Sequence, residues 1–142
     1  MKIIIINGPN LNLLGKREQD IYGRQSFEEY FAEVKKEFPH FSIDYFQSNV
    51  EGEIINKLHQ ASEQFDGIIL NAGGYTHTSV AIADAVKAID TPVVEVHISN
   101  IFAREEYRHI SLIAPNASGS VIGFGMKSYA LALQSFRKTS SD

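Results

Sequence analysis

Ile3, Ile4, Ile5 and Ile6 form an unbroken apolar run of β-branched side chains, closed by Asn7, Gly8 and Pro9. A half-exposed strand would alternate apolar and polar positions; a continuous run predicts a strand buried on both faces, as in a parallel sheet. Ser26 followed by Glu29 is a capping-box pattern, and Phe27, Tyr30, Phe31, Val34 and Phe38 then recur at helical spacing until Pro39. This predicts a helix over 26–38. Ile43, Tyr45 and Phe46 mark a second strand, and Ile54, Ile55, Leu58 and Ala61 share one side of a helix over 53–64. The alternation repeats, with strands at 67–70, 92–97 and 120–124 and helices at 79–89 and 127–137.

Strands alternating with helices imply βαβ units with right-handed crossovers and helices on both sheet faces, a three-layer α/β/α fold. Five parallel strands fit the flavodoxin-like order 2-1-3-4-5 best, and such sheets bind ligands beyond the carboxyl ends of their strands. A chain of 142 residues is the size of one domain, expected here to span 1–142. No repeat, low-complexity tract or linker interrupts it, and the polar tail after Arg137 is expected to fray. Residues 16–24 (KREQDIYGR) carry little core-forming pattern and read as a mobile lid.

Hydrophobic content of 44% with 21% charged residues rules out a disordered or coiled-coil reading. The formal charge of −4 argues against a protein that grips nucleic acid. With no cysteine, a disulfide framework, a thiolate nucleophile and a thiolate metal site are all impossible. The opening apolar run is far shorter than a membrane span, so no membrane partner and a cytoplasmic location are expected.

The unusual polar residues gather in three segments, each after a predicted strand: 7–17, 71–78 and 97–109. If strands one, three and four are neighbours, these loops meet at one crevice. Asn10, Asn12, Arg17, Tyr22, Asn71, His77, His97, Ser99, Arg104 and Arg108 could then share a site. Taken singly, Asn10 and Asn12 read first as turn residues, Asn71 could likewise be turn chemistry, and Thr76, Thr78 and Ser79 are candidate helix caps. His77 near a helix start would be disfavoured as a cation, although a surface histidine is just as common. Glu95 and His97, two apart on a strand, point to one face, where a buried carboxylate can orient an imidazole. Arg104 and Arg108 read either as a solvated charged face or as an anion clamp, which Ser99 strengthens. Lys16, Arg17 and Arg24 surround Tyr22, and guanidinium neighbours favour a phenolate that could act as a base.

Together NGPNLNLLGKRE (7–18), IYG (21–23), NAGGYTHTSVAIADA (71–85) and VEVHISNIFAREEYRHIS (94–111) closely resemble the type II 3-dehydroquinate dehydratases, in order and spacing over nearly the whole chain. The resemblance implies a flavodoxin-like fold and reversible loss of water from 3-dehydroquinate to 3-dehydroshikimate, with no metal or other cofactor. It implies Tyr22 as the base at C2, Arg17 keeping that phenol ionised, Asn10 stabilising the enolate, and His97, oriented by Glu95, as the acid on the C1 hydroxyl. Asn71, His77, Ile98, Ser99 and Arg108 match substrate-binding positions. Asp84 matches a residue that reaches a neighbouring subunit's site, implying a homo-oligomer, a dodecamer built as a tetramer of trimers. Lys16, Gln19 and Ser128 depart from the family pattern. Three rivals remain: a Schiff-base dehydratase, for which no lysine apart from Lys16 lies in the convergent loops; a metal hydrolase using His77, Glu95 and His97; and a flavodoxin-like small-ligand-binding or signalling module. The last would want a phosphate loop or strand-end aspartates, where this chain has GPNLNLLG, Asn7 and Asn71.

Overall fold

The computed structural model describes residues 1–138, and the tail expected to fray lies, beyond Lys138, outside the described residues. Five strands, β1 (Lys2–Asn7), β2 (Ser42–Gln47), β3 (Gly67–Asn71), β4 (Val93–His97) and β5 (Gly119–Ile122), form one sheet. All four pairings are parallel and the order is β2-β1-β3-β4-β5, the flavodoxin-like order the sequence predicts. The helices are α1 (Gln19–Tyr22), α2 (Phe27–Glu37), α3 (Glu51–Gln64), α4 (Val80–Ala88) and α5 (Lys127–Ser135).

The isoleucine run makes the three layers. Ile3 and Ile5 pack with Phe27, Tyr30 and Val34 of α2 and Tyr129 and Leu133 of α5. Ile4 and Ile6 point the other way, onto Ile54 and Leu58 of α3 and Ile82 and Val86 of α4. Each of the four is at most 3% exposed, and full burial of such a side chain stabilises by roughly 1.5–3 kcal/mol. Helix starts follow the expected caps: Ser26 Oγ accepts from Glu29 N at 3.2 Å, and Ser79 Oγ from Ile82 N at 2.9 Å.

Three differences from the sequence reading have local causes. The 16–24 stretch contains the short helix α1, entered through Glu18 in a left-handed conformation (φ 40) and left through Gly23. β5 ends at Ile122 rather than 124, because Gly123 turns the chain at φ 94 and its N–H bonds His97 O. Ser128, unassigned from sequence, is buried, and its hydroxyl accepts from Phe124 N at 3.1 Å, tying the turn after β5 to the start of α5.

At the carboxyl edge, Gly8 N donates to Asn71 O at 2.7 Å, and a Cβ on Gly8 would sit 2.6 Å from Ala72 O. Only glycine lets the loops after β1 and β3 approach this closely. Ile5→Ala should lower unfolding free energy by roughly 2–5 kcal/mol and Ile5→Val by roughly 0.5–1.5 kcal/mol, read from urea melts. Equal costs for the two substitutions would mean that packing at this position is not what supports the sheet.

Candidate active site

β1 delivers Pro9, Asn10 and Leu11 to the carboxyl edge, β3 delivers Asn71 and the turn to His77, and β4 delivers His97, Ile98 and Ser99. These residues, with Arg17 and Tyr22 from the 16–24 segment and Arg104 and Arg108 from the loop after β4, line a cavity of about 140 Å³. No lysine is among the lining residues.

Asn10 stands in the left-handed region (φ 68), a conformation asparagine tolerates better than most side chains. It is held there by Asn49, whose Oδ1 accepts from Asn10 N at 2.9 Å, while Gln47 Nε2 donates to the same oxygen at 3.1 Å and to Gly8 O at 3.1 Å. Asn12, by contrast, turns toward Gln47 and is not among the lining residues. Asn71 is 3% exposed; its Oδ1 accepts from Gly73 N at 3.1 Å, and its Nδ2 donates to Tyr129 Oη at 3.0 Å. Tyr129 in turn donates to Asn7 Oδ1 at 2.8 Å, and burial pushes its phenol up, so it stays a donor. Asn71 thus shapes the Gly73 turn through its side-chain oxygen and is also among the residues that line the cavity.

His97 and Glu95 meet as the strand period requires, with Nε2 and Oε2 2.9 Å apart. Glu95 is 1% exposed. Burial pushes its carboxyl up, yet hydrogen bonds from His97, Ser111 and Ser120 together outweigh this and hold it below the usual carboxylate range. Since a carboxylate only accepts, Nε2 carries a proton, and Nδ1 is the ring nitrogen left for the cavity. His77 stacks on His97 with ring centroids 6.3 Å apart. Its Nδ1 donates to Ile110 O at 2.8 Å, and burial lowers its pKa below the ordinary 6.5, so the ring is neutral near pH 7 with Nε2 free to accept.

Tyr22 is enclosed by two guanidinium groups. Arg17 lies over the ring face, 5.0 Å from the centroid, and pairs with Glu18 at 3.1 Å. The group that touches the phenol oxygen is Arg104, whose Nη1 donates to Tyr22 Oη at 2.8 Å and to Ser99 Oγ at 3.2 Å. Arg108 is engaged by Glu105 at 2.7 Å while also lining the cavity. With Arg104 no closer than 3.8 Å to Glu105, the cavity wall keeps an excess of positive charge suited to an anionic substrate. Among the described residues, no group of three or more His, Asp or Glu side chains could hold a metal ion, and no helix is long and apolar enough to cross a membrane.

Over residues 1–137 the chain matches the family model described as dehydroquinase class II. The chain belongs to the class II dehydroquinase family. The 3-dehydroquinate dehydratase of Caldicellulosiruptor bescii is 53% identical over 140 residues, spanning 96% of this chain and 97% of that protein. That of Clostridium perfringens strain SM101 is 50% identical over 141 residues, spanning 97% of each. The crystal structure of the type II dehydroquinase from Butyrivibrio crossotus DSM 2876 matches with a TM-score of 0.92 at 43% identity, covering 95% of this chain and 96% of that one. As a class II dehydroquinase the chain is an enzyme, a dehydratase of the hydro-lyase class.

Of the residues named from sequence in this dehydroquinase, Asn10, Arg17, Tyr22, Asn71, His77, His97, Ile98, Ser99 and Arg108 line one cavity, and Glu95 stands behind His97. Asp84 does not join them; it is exposed on α4. Sequence reasoning grouped Arg104 with Arg108 as an anion clamp and missed its bond to Tyr22, because 82 residues separate the two. Asn49, Ser111 and Ser120 were missed altogether, since nothing local distinguishes them from loop and edge-strand residues.

A carboxyl whose pKa is lowered in the fold stabilises it above its unfolded value, here about 4.5, and that stability is lost as pH falls through the folded value. His77, also lowered, acts in the same sense below 6.5. Glu95→Gln should therefore flatten the loss of stability below about pH 4.5 in urea melts. A variant that loses stability as steeply as the wild type there would show that Glu95 is not the group responsible.

Proposed function

We propose that this enzyme catalyses the cofactor-free anti elimination of water from 3-dehydroquinate to give 3-dehydroshikimate, as a single cytoplasmic catalytic domain serving the shikimate route to aromatic amino acids. The observation that carries the reading is one cavity walled by a phenol on a guanidinium and by a carboxylate-backed imidazole, with a surplus of arginine for a carboxylate substrate. The curated relatives bear the name of this activity.

In this reading Tyr22, as phenolate, takes the proton from C2, alpha to the ketone. The C–H electron pair moves into the ring and leaves an enolate oxygen. Asn10 supplies the amide that stabilises that oxygen, and its fixed left-handed backbone means no reorganisation as charge develops. The enolate then expels the C1 hydroxyl, which leaves as water with a proton from the cavity-side Nδ1 of His97. Glu95 keeps that ring oriented and compensates its charge. The donor at 2.8 Å from the phenol oxygen supports giving Arg104, beside Arg17, the task of holding the phenolate. Asn71, His77, Ile98, Ser99 and Arg108 bind the ring hydroxyls and the carboxylate. A flavodoxin-like binding or signalling module is the weaker reading, because such a module has no use for the phenol and imidazole that line the same cavity.

The enzyme assembles as a homo-oligomer, a dodecamer in the form of a tetramer of trimers, in which Asp84 completes a neighbour's site. Two observations support this. Asp84 is exposed outside its own cavity beside Val80, one turn away and 63% exposed, and Phe102, Tyr107, Ile110 and Phe124 are apolar side chains left open to solvent.

The purified chain should generate enone absorbance on addition of 3-dehydroquinate; no turnover would overturn the reading. Tyr22→Phe should cut kcat by roughly 10²–10⁴ with folding intact, whereas Arg108→Ala should act mainly on KM. Mixing Tyr22→Phe subunits with Asp84→Ala subunits should recover part of the activity lost in each, if Asp84 serves a neighbour. Absence of recovery in oligomers shown to be mixed would confine Asp84 to its own chain.

A further inference from the structure

The Glu95 carboxylate is a wall between two spaces. On one side His97 faces the cavity; on the other lies an open groove of about 420 Å³ lined by Glu95 itself, His109, Ser111 and Ser120. Ser120 pairs with Glu95 in the parallel register of β4 and β5, so both side chains rise from the same face of the sheet. Its hydroxyl donates to Glu95 Oε1 at 2.6 Å although Ser120 is exposed and has water at hand. Ser111 donates to Oε2, the oxygen shared with His97. Ser111 Oγ also accepts from Ile113 N at 3.2 Å and Ala114 N at 3.0 Å. Both of its lone pairs are thus taken, and its one proton can only point at the carboxylate.

Resting on the reading of His97 as general acid, we propose that Ser111 and Ser120 are positioning residues that hold the shared proton of the Glu95–His97 pair on the imidazole. A buried carboxylate beside an imidazole can carry one proton in two ways, as carboxylate with imidazolium or as carboxylic acid with neutral imidazole. For a carboxylate only 1% exposed the neutral pair is favoured unless the ions are hydrogen-bonded. Two hydroxyl donors, one on each carboxylate oxygen, reverse that preference, and Ser111 cannot turn to accept from a carboxylic acid. The proton therefore stays on the ring, and Nδ1–H on the cavity side is the acid of an imidazolium rather than the far weaker one of a neutral imidazole.

The other groups around the pair do not duplicate this role. His77, stacked on His97, is neutral. Arg108 is engaged by Glu105, and His109 bonds Arg104 O through Nε2 at 3.1 Å. None of them makes a hydrogen bond to Glu95.

The test is done first without substrate, by ring ¹⁵N NMR of His97 and infrared detection of a carboxylic-acid carbonyl, on wild type, the two single alanine variants and Ser111→Ala/Ser120→Ala. When the pair holds one proton, wild type should give imidazolium shifts and no acid carbonyl from Glu95. The double variant should gain a carbonyl band that Glu95→Gln abolishes, with His97 moving toward the neutral-ring shifts. In turnover, each alanine should lower kcat about tenfold, the scale of one hydrogen bond to a charged group, with KM changed by less than about twofold, and threonine at Ser120 should restore it. Should the double variant fail to fold, the single change at exposed Ser120 gives the same readouts. An unaltered proton position, or a fall in kcat without any spectroscopic change, would overturn the proposal. The spectra do not depend on turnover: a chain inactive on 3-dehydroquinate would defeat the function proposed above and leave the proton's position still decided.

Discussion

In a parallel sheet every strand ends at the same edge, and the connections must return over the faces, so whatever follows the strands is forced into one neighbourhood. With β1, β3 and β4 adjacent, three loops that lie far apart in the chain are brought to one crevice. The contact that makes their approach close enough is a backbone one, Gly8 N on Asn71 O. That approach depends on the absence of a single Cβ. The cavity is thus a consequence of strand direction and of one glycine before any reactive side chain is considered.

What that edge holds is unusual for a protein interior. A carboxylate 1% exposed sits in the sheet with an imidazole on one oxygen and hydroxyls on both. Burying such a charge is costly unless each oxygen finds a donor, and here the donors come from β4, β5 and the loop between them. The same arrangement fixes the imidazole's orientation, because Glu95 and His97 rise from one strand. Beneath it, Asn7, Asn71 and Tyr129 form a second buried polar chain from three elements. Support of this kind lets a site hold two side chains in alignment, as proton transfer requires.

Opposite that wall, Tyr22 packs its ring against the edge of the core while two guanidinium groups hold its polar end and ring face. Arg17 travels with it in sequence, while Arg104 reaches it from the β4 side. The 16–24 segment is therefore linked to the sheet edge by a charged hydrogen bond as well as by apolar packing.

The sequence by itself determined the layers. Four consecutive isoleucines ask for burial on both faces of a strand, and the spacing of Phe27, Tyr30 and Val34 marks a helix with one apolar side, while which sheet face that helix covers came from the structure. The sequence also determined the partnership of Glu95 and His97, because the period of a strand puts residues two apart on one side. Only the tertiary structure decided which groups complete these pieces. Ser120 meets Glu95 through inter-strand register, Arg104 meets Tyr22 across 82 residues, and Asn49 holds Asn10 from the end of a different strand. Local pattern encodes burial and direction within one element; contacts between elements follow from how those elements are stacked, and no short stretch of sequence records that.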